Sequence, residues 1–471
     1  LLALAIFLQL PRSDGGLDLH YDVDLTAATA GSLRVTATIA GDLPSALEVG
    51  FPPGVLGQPG DGVQLVGVTA HRTASRGDRR RPLVLERAAA GWRIAGLRGG
   101  PIELDYSLAL DAVSGRQTDI RSHISARTPS GLRIAGYELF LQPQSQRIDS
   151  VTVVFHNPRR LPLVAPWAPA AAGTAEGAIT AVAAGARTYA PRGRRDLNNA
   201  LIATGVALRI ETVARGDAVL QLATEHDWLF TDDVWVRLVT RIAAAEIAFF
   251  ADAPQPLITC LLAPNPVAGP ERFDAYGAHT GSSLLVWLGP RTTYADLHDS
   301  AASVVAHEMF HGWLGEAIEQ RDPDTLWFTE GATSLYAVRQ LVAASIWTPE
   351  AARGRLSARL ERDYWRNPQR DLTSIADAAA QPAADPATVR LAYAGGIAAC
   401  LALERRLAGE GAPTDPLDGL LRFLYTQRAD GPLTRERLVA AILAVTGCDA
   451  TAWLEAHVYG RETLPTVEPV L

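Results

Sequence analysis

The sequence predicts a multidomain α+β protein, with a β-rich first half of antiparallel sandwich type, a mixed catalytic segment and a helical C-terminal part. Three observations predict this. Short runs alternating apolar and polar residues, with Gly, Pro and Asp between them, occupy Leu17 to about Glu225. At Phe230-Thr-Asp-Asp the apolar period lengthens to that of a helix. Beyond Tyr336 nearly every apolar run keeps helical spacing.

Taken in order, Leu17–Leu25 and Ser32–Ile39 alternate cleanly, and Ile102–Leu110 and Ser150–Phe155 repeat the pattern. The Arg-rich stretch His71–Arg81 has the Gly/Ser/Asp context of a solvated loop, and Ala168–Ala186 reads as a long Ala/Gly-rich connection. His20, His71, His123 and His156 have no ligand spacing. Val234–Phe250 is an amphipathic helix, and Leu257–Leu262 and Ser282–Leu288 are strands. Helices are expected at Pro349–Trp365, Thr388–Leu407, Leu417–Gln427, Thr434–Val445 and Ala450–His457. These elements divide the chain into a leader and linker (1–16), a β-domain (17–225), a catalytic subdomain (226–348) and a helical subdomain (349–471).

Composition narrows the class. A formal net charge of −8 leaves no electrostatic footprint for nucleic acid. All 43 basic side chains are arginine, which fits a GC-rich, bacterial-type source. Cys260, Cys400 and Cys448 are too dispersed to form a metal-binding pair. Leu1–Leu10 is apolar apart from Gln9, too short to span a bilayer but suited to the end of a signal or anchor segment. An extracytoplasmic location with possible membrane association is therefore expected, a first buried strand being the alternative.

The chemistry is concentrated between Asp299 and Tyr336. Asp299 or Ser300 is expected to cap a helix that carries His307 and His311 four residues apart, hence on one face. Two imidazoles so placed bind one Zn2+ through nitrogen at roughly 2.0–2.1 Å. Glu308, rotated from the metal, lies where a general base takes the proton of a bound water. Eighteen residues separate His311 from Glu330. Glu330 sits in an apolar helix, which Asp324 is expected to cap, and a carboxylate there is costly to bury unless it binds metal. It completes a two-His, one-Glu site with one open position. Ser334, one turn on, reads as a helix-surface hydroxyl rather than a group orienting a ligand.

His307-Glu-Met-Phe-His-Gly-Trp313 and Leu326-Trp-Phe-Thr-Glu-Gly-Ala-Thr-Ser-Leu-Tyr336 resemble the zinc helix and glutamate helix of the glycyl aminopeptidase family, metallopeptidase family sixty-one of the gluzincin clan. Tyr21–Leu25, Arg370–Asp377 and Val458–Pro465 also look like landmarks of that family. The resemblance implies a thermolysin-like catalytic domain between the β-domain and the helices, without the PDZ-type module that often follows it. It gives Tyr393 the role of hydrogen-bond donor to the oxyanion, with Gly395 where a lysine is usual. It makes Tyr276, Gly277, Ala278 and His279 part of a Gly-rich strand that binds substrate through its backbone. The glutamate with which relatives hold a free amine is missing there, where His279 or Thr280 stands; Glu271 and Asp274 are the candidate acids to replace it. The expectation is a zinc peptidase acting on peptides, an aminopeptidase releasing small N-terminal residues. An endopeptidase, or a catalytically idle binding protein, is the alternative.

Overall fold

The computed structural model describes residues 15–52, 63–73, 80–97, 99–111, 124–170, 185–265, 275–381, 385–412 and 414–466. The apolar run Leu1–Leu10, His123, Glu271 and Asp274 lie outside these residues, as do most of Ala168–Ala186 and the middle of His71–Arg81.

The first half stacks sheets face to face. A seven-stranded sheet runs in the order Ala186–Tyr189, Ile148–His156, Leu17–Asp24, Ser32–Gly41, Ile102–Leu110, Val63–Arg72, Arg81–Leu83. Along Leu17–Asp24 every second side chain is buried, so the two-residue period supplies one face to the core. Two four-stranded sheets pack against it, and Tyr21, Phe140, Tyr106 and Phe155 fill the space between. The sheet is not wholly antiparallel as expected: Leu17–Asp24 pairs in parallel with Ile148–His156. Alternation fixes which face of a strand is buried but not which distant strand lies beside it.

The second half is built on a five-stranded mixed sheet, in the order Arg209–Arg215, Ala218–Thr224, Leu257–Pro264, Ser283–Leu288, Ala275–Thr280. The three central strands are parallel, and Ala275–Thr280 joins antiparallel as an edge with no further strand beyond it among the described residues. The back of this sheet packs on the first half through Leu261, Leu285 and Trp287 against Ile124, Tyr137 and Leu201. Arg133 and Glu225 form a buried ion pair of 2.8 Å across the same contact. The opposite face carries the helices Asp232–Phe250 and Ala302–Phe310, then Leu326–Ala343, Pro349–Leu360 and Pro386–Gly409 behind them.

Two caps differ from expectation. The helix bearing His307 begins at Thr293, whose hydroxyl and Asp296 form a reciprocal capping box, and it passes through a π turn at Leu297–Ala301 before Ala302–Phe310. Asp299 and Ser300 are thus inside it. Asp322, not Asp324, caps the turn that leads into Leu326–Ala343. In both cases the capping side chain lies further upstream, because an additional turn extends the helix beyond its apolar period.

Leu326–Ala343 and Pro386–Gly409 cross with their backbones touching. A Cβ on Gly396 would stand 2.5 Å from the Trp327 carbonyl oxygen and 2.8 Å from Gly331 Cα, and a Cβ on Gly331 would strike the Gly396 backbone. Elsewhere in this half, Glu246 has no exposed surface and no hydrogen-bond partner for either carboxyl oxygen among the described residues. Burial raises its pKa well above the ordinary value.

Gly396→Ala is expected to cost about 1–3 kcal/mol of stability through overpacking and to lower activity, measured by denaturant unfolding alongside turnover. A folded-state pKa above the unfolded one costs stability increasingly as pH rises from about 4.5. Glu246→Met is therefore expected to raise the melting temperature, and to raise it more at pH 8 than at pH 5.

Candidate active site

Ala302–Phe310 anchors itself through its apolar side. Val305, Ala306, Met309 and Phe310 are buried, and Trp313 just beyond is fully covered, its indole N–H donating to the Asp252 carbonyl at 3.0 Å. The Trp of the motif is thus a packing residue. The opposite side of the helix presents His307, Glu308 and His311. Their Nε2 atoms (His307, His311) lie 3.1 Å apart, and Glu330 Oε2 is 3.3 Å from the first and 3.6 Å from the second.

The remaining ring nitrogens are engaged elsewhere. His311 Nδ1 donates to the Leu314 carbonyl at 3.0 Å, and His307 Nδ1 meets Ser334 Oγ at 3.2 Å. Each contact leaves Nε2 free to offer a lone pair. Glu330 Oε2 is buried without a hydrogen-bond donor among the described residues. Three lone-pair donors converging without a proton donor fit a cation, and two imidazoles with one carboxylate are the donor set zinc takes. Among the described residues no other such group of donors occurs.

Ser334 corrects the sequence reading: it is 2% exposed and faces His307, not solvent. The available signal was its position four residues after Glu330, which puts both on one helix face. Burial raises the pKa of Glu308 to about 7, opposed by the charge of His311, and burial lowers that of His307 to about 4. Burial would also raise that of Glu330, but the two imidazoles beside it hold it below the usual carboxylate range.

The edge strand Ala275–Thr280 lies against this helix. Gly277 faces Glu308 so closely that a Cβ there would collide with the Glu308 side chain. His279 is on the same face, its ring 6.0 Å from that of His311. Tyr276 and Ala278 alternate to the other face, where Tyr276 is 41% exposed and Ala278 packs on the inter-sheet core. Tyr276 is thus placed away from the donors. Thr280 is buried and its hydroxyl donates to the Asn199 carbonyl at 3.2 Å. On the other flank Tyr393 stands with its ring 5.9 Å from that of His307, and its hydroxyl interacts with Glu330.

Glu316 was not foreseen. Its Oε1 accepts from the Gly281 N–H at 3.2 Å and lies 4.0 Å from His279 Nδ1, while Oε2 pairs with Arg195 at 2.6 Å. Only the fold brings it to the end of the edge strand.

Residues 266–408 match the Peptidase family M1 domain. No curated protein matches the chain. Among solved structures, an aminopeptidase N family protein from Idiomarina loihiensis superposes with a TM-score of 0.74 at 16% identity, over 96% of this chain and 77% of that one. A mutant M1 zinc metallopeptidase from Deinococcus radiodurans bound to a Tyr-Ser-Ala substrate gives 0.54 at 15% identity, over 96% of both chains. A two-domain M1 zinc metallopeptidase mutant bound to L-tryptophan gives 0.56 at 15% identity, over 97% of both. The matched peptidase domain and the donor set make the chain a zinc metallopeptidase, with Zn2+ as cofactor and peptides as substrates. Its fold is the multidomain α+β fold of these structures.

Ser334→Ala should weaken zinc binding about tenfold by releasing the His307 ring, as measured by competition with a chelator.

Proposed function

We propose that the chain is an aminopeptidase that removes small N-terminal residues from peptides, with Glu308 as general base and Tyr393 as oxyanion donor. The contact of Glu308 with Gly277 carries this reading. A peptide adding to the open edge of Ala275–Thr280 gains main-chain hydrogen bonds and brings its carbonyl between the base and the three donors. His307, His311 and Glu330 would hold the zinc. When bound, that ion polarises the scissile carbonyl and lowers the pKa of a water. Glu308, buried and with a pKa of about 7, accepts the water proton and passes it to the leaving amine. Tyr393, on the His307 side, donates its hydroxyl hydrogen to the developing oxyanion.

Glu316 supports the exopeptidase reading. It closes the His279 end of the edge strand, where Arg195 holds Oε2 and leaves Oε1 turned to the Gly281 N–H and the His279 ring. An ammonium arriving there would meet a carboxylate oxygen, Glu316 Oε1, that is not taken by a guanidinium. His279 occupies the space beside His311, which favours a small first side chain and agrees with the resemblance to glycyl aminopeptidases. An endopeptidase is the second reading, favoured by Thr280, which offers no carboxylate where relatives hold the amine.

Cleavage of Ala- and Gly-initiated peptides is expected to be abolished by a zinc chelator and by N-acetylation; equal cleavage of acetylated peptides would establish the endopeptidase. Glu308→Gln should retain zinc, measured by metal analysis, and lose turnover by at least about a hundredfold.

A further inference from the structure

One cation near the donors forms no ion pair among the described residues. The helical stretch Pro349–Trp365, with Arg366 following, carries five arginines. Four have a carboxylate at hand: Arg353 with Glu350 at 3.5 Å, Arg355 with Asp299 at 3.5 Å, Arg362 with Asp363 at 2.6 Å and Arg366 with Glu361 at 2.6 Å. Arg359 forms no hydrogen bond or ion pair among the described residues. It is not a solvated surface arginine either. It is half-buried at the edge of the helix face that buries Ala352 and Leu356, four residues before Asp363, whose carboxylate is taken by Arg362.

That helix packs against both Leu326–Ala343, which bears Glu330, and Pro386–Gly409, which bears Tyr393. The Arg359 charge acts first on Asp363, and it also reaches Tyr393, Glu330 and His307. Burial works against its charge, and the Asp363 charge offsets this only in part, with no ion pair to Arg359 among the described residues. A guanidinium so placed is a planar fork waiting for an oxyanion pair. The cleft is therefore polarised across the metal donors. Glu316 lies on the His311 side, beyond His279, whereas the helix of Arg359 packs on the other flank, where its charge reaches Tyr393 and His307. A short peptide carries the matching charges, an ammonium at one end and a carboxylate at the other, separated by roughly 3.3–3.6 Å per residue.

We infer that Arg359 binds the terminal carboxylate of a short peptide, a di- or tripeptide, whose scissile carbonyl lies at the His307–His311–Glu330 donors. This rests on the aminopeptidase reading and narrows its substrates to short free-acid peptides. Arg359 is a specificity residue here, reading the end of the leaving fragment.

The test uses the zinc-loaded Glu308→Gln protein, so that binding is read without cleavage, by calorimetry with Ala-Ala-Ala and with its C-terminal amide. The free acid is expected to bind about tenfold tighter than the amide. Adding Arg359→Gln should bring that ratio close to one, Arg359→Lys should restore part of it, and Arg353→Gln should leave it intact. A ratio near one in the parent protein, or a ratio that survives Arg359→Gln, overturns the inference. So does a preference that follows an acidic side chain, with Ala-Asp-amide binding over Ala-Asn-amide, while acid and amide termini bind equally. Release of the first residue from Ala-Ala-Ala by the unaltered enzyme, with none from its N-acetylated form, judges the aminopeptidase reading separately, since the C-terminus is the same in both peptides.

Discussion

The contact on which the centre depends is the crossing of two helices at Gly331 and Gly396. With no side chain at either position, the backbones of Leu326–Ala343 and Pro386–Gly409 touch. Glu330 precedes the first glycine and Tyr393 lies one turn before the second. Separating the helices by the width of a methyl group would therefore move a donor and a hydrogen-bonding hydroxyl together. Sites of this kind depend on placement within fractions of an ångström, which rigid helices provide better than loops do.

Around that crossing the donors are held by their unused atoms. The Leu314 carbonyl fixes one imidazole and Ser334 the other, so that both Nε2 atoms and Glu330 Oε2 point to one place. Such convergence is unfavourable by itself, since lone pairs repel and a buried carboxylate without a donor is costly. The packed core beneath, from Val305 to Trp313 and from Trp327 to Tyr336, holds it in place. Glu308 shares the burial but not the convergence, so its carboxyl remains able to exchange a proton near neutral pH.

The β-rich half contributes to the site indirectly. Its contact with the back of the mixed sheet, through Trp287 and the buried Arg133–Glu225 pair, holds the sheet whose outer edge faces Glu308. Breaking such a pair by removing one partner leaves an unpaired buried charge, so its geometry is strongly constrained. The same half extends Arg195 to Glu316 and Glu319, setting the charge at one end of the cleft.

The sequence alone determined the local terms. Two histidines a turn apart, a base between them, a third acid in an apolar helix and the change of period near Phe230 are all encoded in spacing, because helix and strand geometry repeat over a few residues. The sequence also carried the alternation that buries Leu17, Leu19, Tyr21 and Val23. What needed the tertiary structure was every relation between distant segments: the parallel pairing of Leu17–Asp24 with Ile148–His156, the burial of Ser334 against His307, Glu316 at the end of the edge strand, and Arg359 without an ion pair among the described residues. Those depend on how helices and sheets approach one another. That is decided by complementary packing of whole surfaces, which no window of neighbouring residues contains.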